Sequence, residues 1–184
     1  MKAGLRRLLE DRRAYQLGFD GERYVGEELS RLIAHGFEIY HDVPFDGFNV
    51  DHVLVGAPGV FTIETKTRSQ SVKKSVKKEY EVSFDGKCLR WPWGNSVAEI
   101  EQARATADSV VQWLFAGTGQ AVEVTAILTI PGWKVVRSAP SDGVHVVTPE
   151  EIIQVCDTKT VKLSGPVKNL ICRQLDQKCR IEVK

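Results

Sequence analysis

Two short apolar runs joined by Gly56-Ala57-Pro58-Gly59 constrain this chain more than any other feature of it. The first is Asn49-Val50-Asp51-His52-Val53-Leu54-Val55, and the second is Val60-Phe61-Thr62-Ile63-Glu64-Thr65-Lys66. Glycine and proline at the joint punctuate the chain, and the flanks suit strands, so the pair reads as an antiparallel hairpin. Alternate side chains of a strand share a face. Ile63 and Thr65 therefore point one way, while Glu64 and Lys66 point together the other way. Depending on register, Asp51 comes near Glu64 or Lys66 across the pair. The second run is apolar almost throughout, as in an interior strand that acquires charge only at its end.

The surrounding pattern supplies layers for this hairpin. Residues 5–34 read as helical, with a break expected between Gly18 and Gly21 and Asp20 capping the second piece. A strand over 37–43 precedes the hairpin. A second hairpin is expected over 79–84 and 87–91, turning at Asp85-Gly86. Ser96-x-x-Glu99 has the form of a capping box, and Val97, Ile100, Ala107, Val111, Leu114 and Phe115 follow at helical spacing until Gly117. Residues 122–130 form a near-continuous apolar strand, the mark of a central position covered on both faces. A strand over 144–147, a helix start at Thr148-Pro149-Glu150 and an amphipathic helix over 166–179 complete the order. The expected class is α/β, a mixed central sheet flanked by helices. No repeat or linker divides residues 1–184, so one domain is expected, with a core over 18–147 and a C-terminal helical extension over 148–184.

Composition removes some function classes. Lysine and arginine number 25 against 24 acidic residues, so net charge gives no general attraction to nucleic acid or anionic membrane. Any polyanion must be held by a local patch. Cys88, Cys156, Cys172 and Cys179 form no C-x-x-C pair and have no histidine at zinc-finger spacing, which argues against structural zinc and for free thiols in a reducing compartment. The first residues interleave charges with leucines and resemble neither a signal peptide nor a membrane span, so a cytoplasmic location is expected.

Two carboxylates beside a lysine suit phosphodiester hydrolysis. The acids would hold Mg²⁺, which polarises the phosphate and acidifies bound water, and the lysine would orient or activate that water. The competing reading is a cross-strand ion pair on a solvated face. Arg68, Lys73, Lys74, Lys77 and Lys78 form the only dense basic run, placed to contact phosphates or to form a solvated loop. Trp91 and Trp93 bracket Pro92 and either stack on bases or pack under a loop. His52 falls on the opposite face from Asp51, so no general-base role is expected for it. His35, His41 and His145 are expected to be structural or exposed.

Gly21-Glu22, the run 49–55 and Gly59-Val60-Phe61-Thr62-Ile63-Glu64-Thr65-Lys66 resemble the nuclease-related domain (NERD) family of the PD-(D/E)XK nuclease superfamily. The resemblance spans about 18–114 and implies a restriction-endonuclease-like fold. It assigns metal binding to Asp51 and Glu64 and maps the lysine onto Lys66, a first-helix glutamate onto Glu22 and a glutamine onto Gln102. Val50 stands where the superfamily name has proline, a common variation that leaves the chemistry intact. The expected metal ligands are Asp51, Glu64, Thr65 and Glu22, with Mg²⁺ or Mn²⁺ as cofactor. On a helical wheel Glu22 joins Val25, Leu29, Leu32 and Ile33 inside the apolar stripe, where an acid needs a partner. Gln102 falls with Ala98, Ala105 and Ser109, a face the wheel leaves exposed, so its role rests on the resemblance.

The resulting expectation is a metal-dependent nuclease, with DNA ahead of RNA as substrate and no membrane partner. Its alternatives are a non-catalytic nucleic-acid-binding or sensing module in a defence or repair system, and a metal-free interaction domain. The part after Val147 offers apolar surface for a homodimer.

Overall fold

The computed structural model describes residues 2–68, 80–140 and 142–180, with side chains from Arg12 onward. The hairpin forms where the turn residues place it: β2 (Phe48–Gly56) and β3 (Gly59–Thr65) pair antiparallel from Gly56 opposite Gly59 to His52 opposite Ile63. β1 (Glu38–Phe45) adds antiparallel to β2. β7 (Val124–Thr129) lies parallel to β3, and β9 (Val144–Val147) lies parallel to β7. The sheet order is therefore β1-β2-β3-β7-β9. Strands in its parallel half must be covered on both faces, and β3 is buried from Gly59 to Glu64.

Helices cover both faces. On one side α1 (Lys2–Leu29), a 3₁₀ turn (Ser30–His35) and α3 (Ile152–Cys156) pack Val25, Leu29, Leu32 and Ile152 against Leu54, Phe61, Ile63 and Ile127. On the other, α2 (Ala98–Thr118) and α4 (Gly165–Arg180) set Val110, Leu114, Ile171 and Leu175 on Val53, Val55 and Val60. A smaller sheet of order β6-β5-β4-β8 is built from β4 (Glu81–Phe84), β5 (Leu89–Trp91), β6 (Gly94–Ser96) and β8 (Lys134–Arg137). It shares a core with α2 and β7 through Val82, Phe84, Ile100 and Leu128. The expected α/β class, a mixed sheet flanked by helices, is the observed one.

Several details differ from the sequence expectation. α1 runs unbroken through Gly18 and Gly21. Gly21 marks a close approach instead: a Cβ there would stand 2.1 Å from Thr67 Cγ2. Asp20 caps nothing and accepts a bond from Gln16 Nε2 within the helix, 3.0 Å. Ser96 and Glu99 bond each other by their side chains, and the helix starts from Val97 without a side-chain cap. The Glu99 carboxylate is shared with Arg68, as described below. The capping box that does form joins Thr148 and Glu151. α2 passes Gly117 and ends at left-handed Gly119 (φ 68°), whose N–H donates to the Phe115 carbonyl. Val97 and Phe115, counted in the apolar series, are exposed. Ile33 is exposed as well, because the chain has left α-helical geometry at Ser30. β6 and β8 were not anticipated, being three and four residues long with little alternation to reveal them.

Candidate active site

The end of β3 brings the charged residues together. Continuing the β2–β3 register by one rung places Asp51 opposite Glu64. The β1–β2 ladder skips the rung between Asp42 and Asp51, where Asp42 has a positive φ of 49°. That gap leaves the Asp51 carboxylate turned toward β3, where Oδ2 accepts the Thr65 N–H at 2.7 Å. Lys66 is fixed by its own N–H, which donates to the Thr129 carbonyl at 2.9 Å, so β7 holds the strand end that carries the lysine.

α2 closes the site from above. Glu99, Gln102 and Thr106 recur on one stripe of that helix, and Gln102 Nε2 donates to Glu64 Oε2 at 3.1 Å. Glu64 is 6% exposed, and its other oxygen, Oε1, is buried with no hydrogen-bond partner among the described residues. These groups line a cavity of about 110 Å³ with Glu22, Asp51, Thr65, Lys66 and Leu128. Taking about 30 Å³ per water, the cavity has room for a few waters or a partly hydrated ion and is too small to enclose a nucleotide. Two larger cavities, about 510 and 530 Å³, open beside β9 and α3 and contain none of these site residues.

Electrostatics distinguish the carboxylates. Burial and the Asp51 charge push Glu64 up to about 7, against the opposing pull of Thr106, Lys66 and Gln102. Burial also raises Asp51, helped by Asp42 and resisted by the Thr65 N–H and by Lys66. Glu22 is raised by burial, then by Asp51 and Asp42. Glu99 is buried too, which alone would raise it, yet Ser96, its own backbone and Arg68 hold it below the ordinary range. Arg68 reaches it at 2.6 Å.

A family model for the nuclease-related domain matches residues 17–131. The chain belongs to that family. The match covers more than half of the 184 residues and makes the function nuclease-related. Comparison with curated proteins and with solved structures gave no match. All five residues expected in this nuclease-related domain's site, Glu22, Asp51, Glu64, Lys66 and Gln102, fall within the matched span and line one cavity. β8, β9, α3 and α4 lie beyond it.

The nuclease-related domain departs from the sequence reading at Glu22 and at Glu99. Glu22 is exposed on its helix, at the rim between the acidic cavity and a neighbouring one of about 420 Å³ lined by Phe19, His41, Asp42 and His52. The wheel sets it in the apolar stripe with Val25 and Leu29, which are buried, whereas Glu22 lines the cavity at the end of β3. Arg68 is engaged with Glu99, and Lys73, Lys74, Lys77 and Lys78 lie outside the described residues. Glu99, expected only as a cap, lines the cavity; the spacing of Glu99, Gln102 and Thr106, which sets three polar groups on one stripe of α2, is the signal that could have found it. His52 does not line the acidic cavity but lines the neighbouring one together with Asp51, and its Nδ1 lies 2.8 Å from that of His41. His35 pairs with Asp157.

The donors suit a hard cation. Four carboxylates, Glu22, Asp51, Glu64 and Glu99, line a cavity with one lysine, and among the described residues only Glu99 has a cation partner within ion-pair distance. Among the described residues, no three His, Cys, Asp or Glu side chains gather tightly enough to hold a metal alone. A cation here would use Asp51, Glu64 and the unpartnered Glu64 Oε1 together with waters or backbone oxygen. That water-rich oxygen shell is the one Mg²⁺ prefers. Among the described residues, no helix is long and apolar enough to cross a membrane.

Proposed function

We propose that the chain is a Mg²⁺- or Mn²⁺-dependent phosphodiesterase that cleaves DNA, with Asp51 and Glu64 as carboxylate ligands, the Thr65 backbone as a further oxygen donor and Glu22 joining through water. The observation that carries this reading is the buried, unpartnered Glu64 Oε1 beside a second raised carboxylate. Leaving such a group unsatisfied destabilises the fold, and a bound cation removes the defect. When bound, the ion supplies charge neutralisation at the phosphate and lowers the pKa of a water.

The protein's own residues do the rest. Lys66, on the same face as Glu64, orients the attacking water and offsets carboxylate charge. Gln102 holds Glu64 in one rotamer through Oε2, leaving Oε1 free. Thr65 N–H does the same for Asp51. Glu22, raised and at the rim, can accept a proton from water entering the cavity. Arg68 has 41% of its side chain exposed beyond its contact with Glu99 and can meet a phosphate at the mouth.

The test is cleavage of labelled single- and double-stranded DNA and of RNA by wild type and Lys66→Ala, in Mg²⁺, Mn²⁺ or EDTA. Metal-dependent cutting of DNA that is lost in the variant is the expected result. Binding in EDTA with no cutting under any condition would replace this reading with a sensing module.

A further inference from the structure

An aromatic cluster stands against the wall of the acidic cavity. Trp91 and Trp133 are buried, while Trp93 is 55% exposed. Trp93 lies flat on Trp91, with ring centroids 5.5 Å apart and planes at 12°. Trp133 meets both rings edge-on, at 5.1 and 5.4 Å. Trp93 is thus held in one orientation from beneath and from the side, and what it shows to solvent is a rigid apolar ring.

The cluster and the cavity share Arg68. Its guanidinium carbon sits 5.8 Å from the Trp91 ring centre, and its carbonyl accepts the Trp133 indole N–H at 3.2 Å. The same guanidinium reaches Glu99, which lines the cavity beside Lys66. A flat ring, a partly exposed cation and a phosphodiester site therefore follow one another along one surface. Base faces stack on aromatic rings without regard to sequence, whereas a base inside a duplex has both faces covered by its neighbours.

We propose that Trp93 is a stacking platform for an unpaired nucleobase of the strand whose phosphate lies at Glu64 and Lys66, so that the protein prefers single-stranded or frayed nucleic acid over blunt duplex. This rests on the function proposed above, and it names the substrate form that function would take. Arg68 contributes charge to the adjoining phosphate and keeps Trp91 beneath Trp93.

Binding can be read without cleavage. Wild type, Trp93→Ala, Trp93→Phe and Lys66→Ala are titrated in EDTA with a fluorescein-labelled mixed-sequence single strand and with the blunt duplex of the same sequence. Loss of one base stack weakens binding roughly five- to a hundredfold. Trp93→Ala is expected to lose that factor for the single strand and little for the duplex, with Trp93→Phe within about threefold of wild type. Circular-dichroism melts establish that Trp93→Ala remains folded; should it not, the difference in oligonucleotide quenching of tryptophan emission between wild type and Trp93→Phe carries the test, and equal quenching in the two overturns the proposal. The proposal is overturned if Trp93→Ala binds the single strand like wild type, if strand and duplex weaken equally, or if wild type binds neither. Trp93-dependent binding without metal-dependent cutting would sink the nuclease reading and leave the platform standing. Cutting that is indifferent to Trp93 would do the reverse.

Discussion

Replacing Glu64 by glutamine should stabilise the metal-free protein, and by an amount that depends on pH. The folded carboxyl is raised from 4.5 to about 7, mainly by burial and then by Asp51. Below the unfolded value both states hold the proton and Glu64 makes no pH-dependent contribution. Between 4.5 and 7 the folded state keeps a proton that the unfolded state has released, so stability falls as pH rises. Above 7 the whole cost is in place. At 1.36 kcal/mol per unit, that cost is about 3 kcal/mol, an upper figure because Asp51 shares its proton equilibrium. Glutamine keeps the shape, still accepts from Gln102 and carries no charge, so Glu64→Gln should recover about 2–3 kcal/mol at pH 8. For a chain of this size that is roughly 4–12 °C in melting temperature. The assay is thermal or urea unfolding of both proteins in EDTA from pH 4.5 to 9. The two curves should meet near pH 4.5 and separate above 6. Saturating Mg²⁺ should then close the gap from the wild-type side, since a ligand at a hundred times its Kd adds about 2.7 kcal/mol. Wild type more stable than Glu64→Gln at pH 8 in EDTA, or a difference that ignores pH, would refute the reasoning and make Glu64 one half of a structural ion pair with Lys66.

Asp51→Asn should abolish cleavage without lowering the melting temperature at pH 8, because the amide oxygen still accepts the Thr65 N–H while the raised charge is gone. Asp51→Ala would also orphan that N–H at a cost of about 1–3 kcal/mol, so Asn isolates the charge; a large loss in Asn would show that the charge is structural. Gly21→Ala should destabilise by about 1–3 kcal/mol through overpacking against Thr67, and Thr67→Ala in the same chain should restore most of it in urea unfolding. Equal losses in the single and double variants would mean that the helix and strand end are not in this contact. His52 is lowered to about 3 by burial and then by His41, so it stays neutral in the folded state while the unfolded chain takes up a proton below 6.5. Its contribution is therefore present above 6.5 and lost as pH falls toward 3, by up to about 1.4 kcal/mol per pH unit. His52→Asn should flatten that limb of the stability curve, and an unchanged slope in urea titrations between pH 4 and 6.5 would assign acid sensitivity elsewhere.

What the sequence revealed was local, and what it concealed was tertiary. Strand alternation alone placed Glu64 and Lys66 on one face, and the Gly56 to Gly59 turn placed Asp51 across from them. The apolar run over 122–130 announced a central strand, which the structure sets parallel to both neighbours. Gly18 and Gly21 misled because a glycine reads the same whether it breaks a helix or lets one approach a strand; only the position of Thr67 separates the two. Ser96 and Glu99 have the spacing of a cap, and nothing nearby in sequence shows that Arg68, 31 residues earlier, will claim the glutamate. A helical wheel orients residues against one neighbouring surface. Glu22 has a sheet end rather than a sheet face as its neighbour, and there the wheel fails; Gln102 is exposed, as its wheel has it, and reaches Glu64 from that face.

Glu64 and Glu99 line the same small cavity and are both nearly buried, yet their acidities are driven apart. Divergence of this kind separates groups that change state from groups that hold others in place. Glu99 is satisfied on both oxygens, by Ser96 and by Arg68. It stays ionised across the working range, fixing Arg68 under the tryptophans. Glu64 has one oxygen held and one bare, and its titration falls near neutrality. A domain that had kept only its fold would gain stability by replacing that carboxylate with an amide or an alkyl group, as Glu64→Gln is expected to show. The presence of Glu64 beside Asp51, on the strand end that also carries Lys66, is therefore the reason we propose a ligand that rewards the charge, and a divalent cation is the one proposed for these oxygen donors.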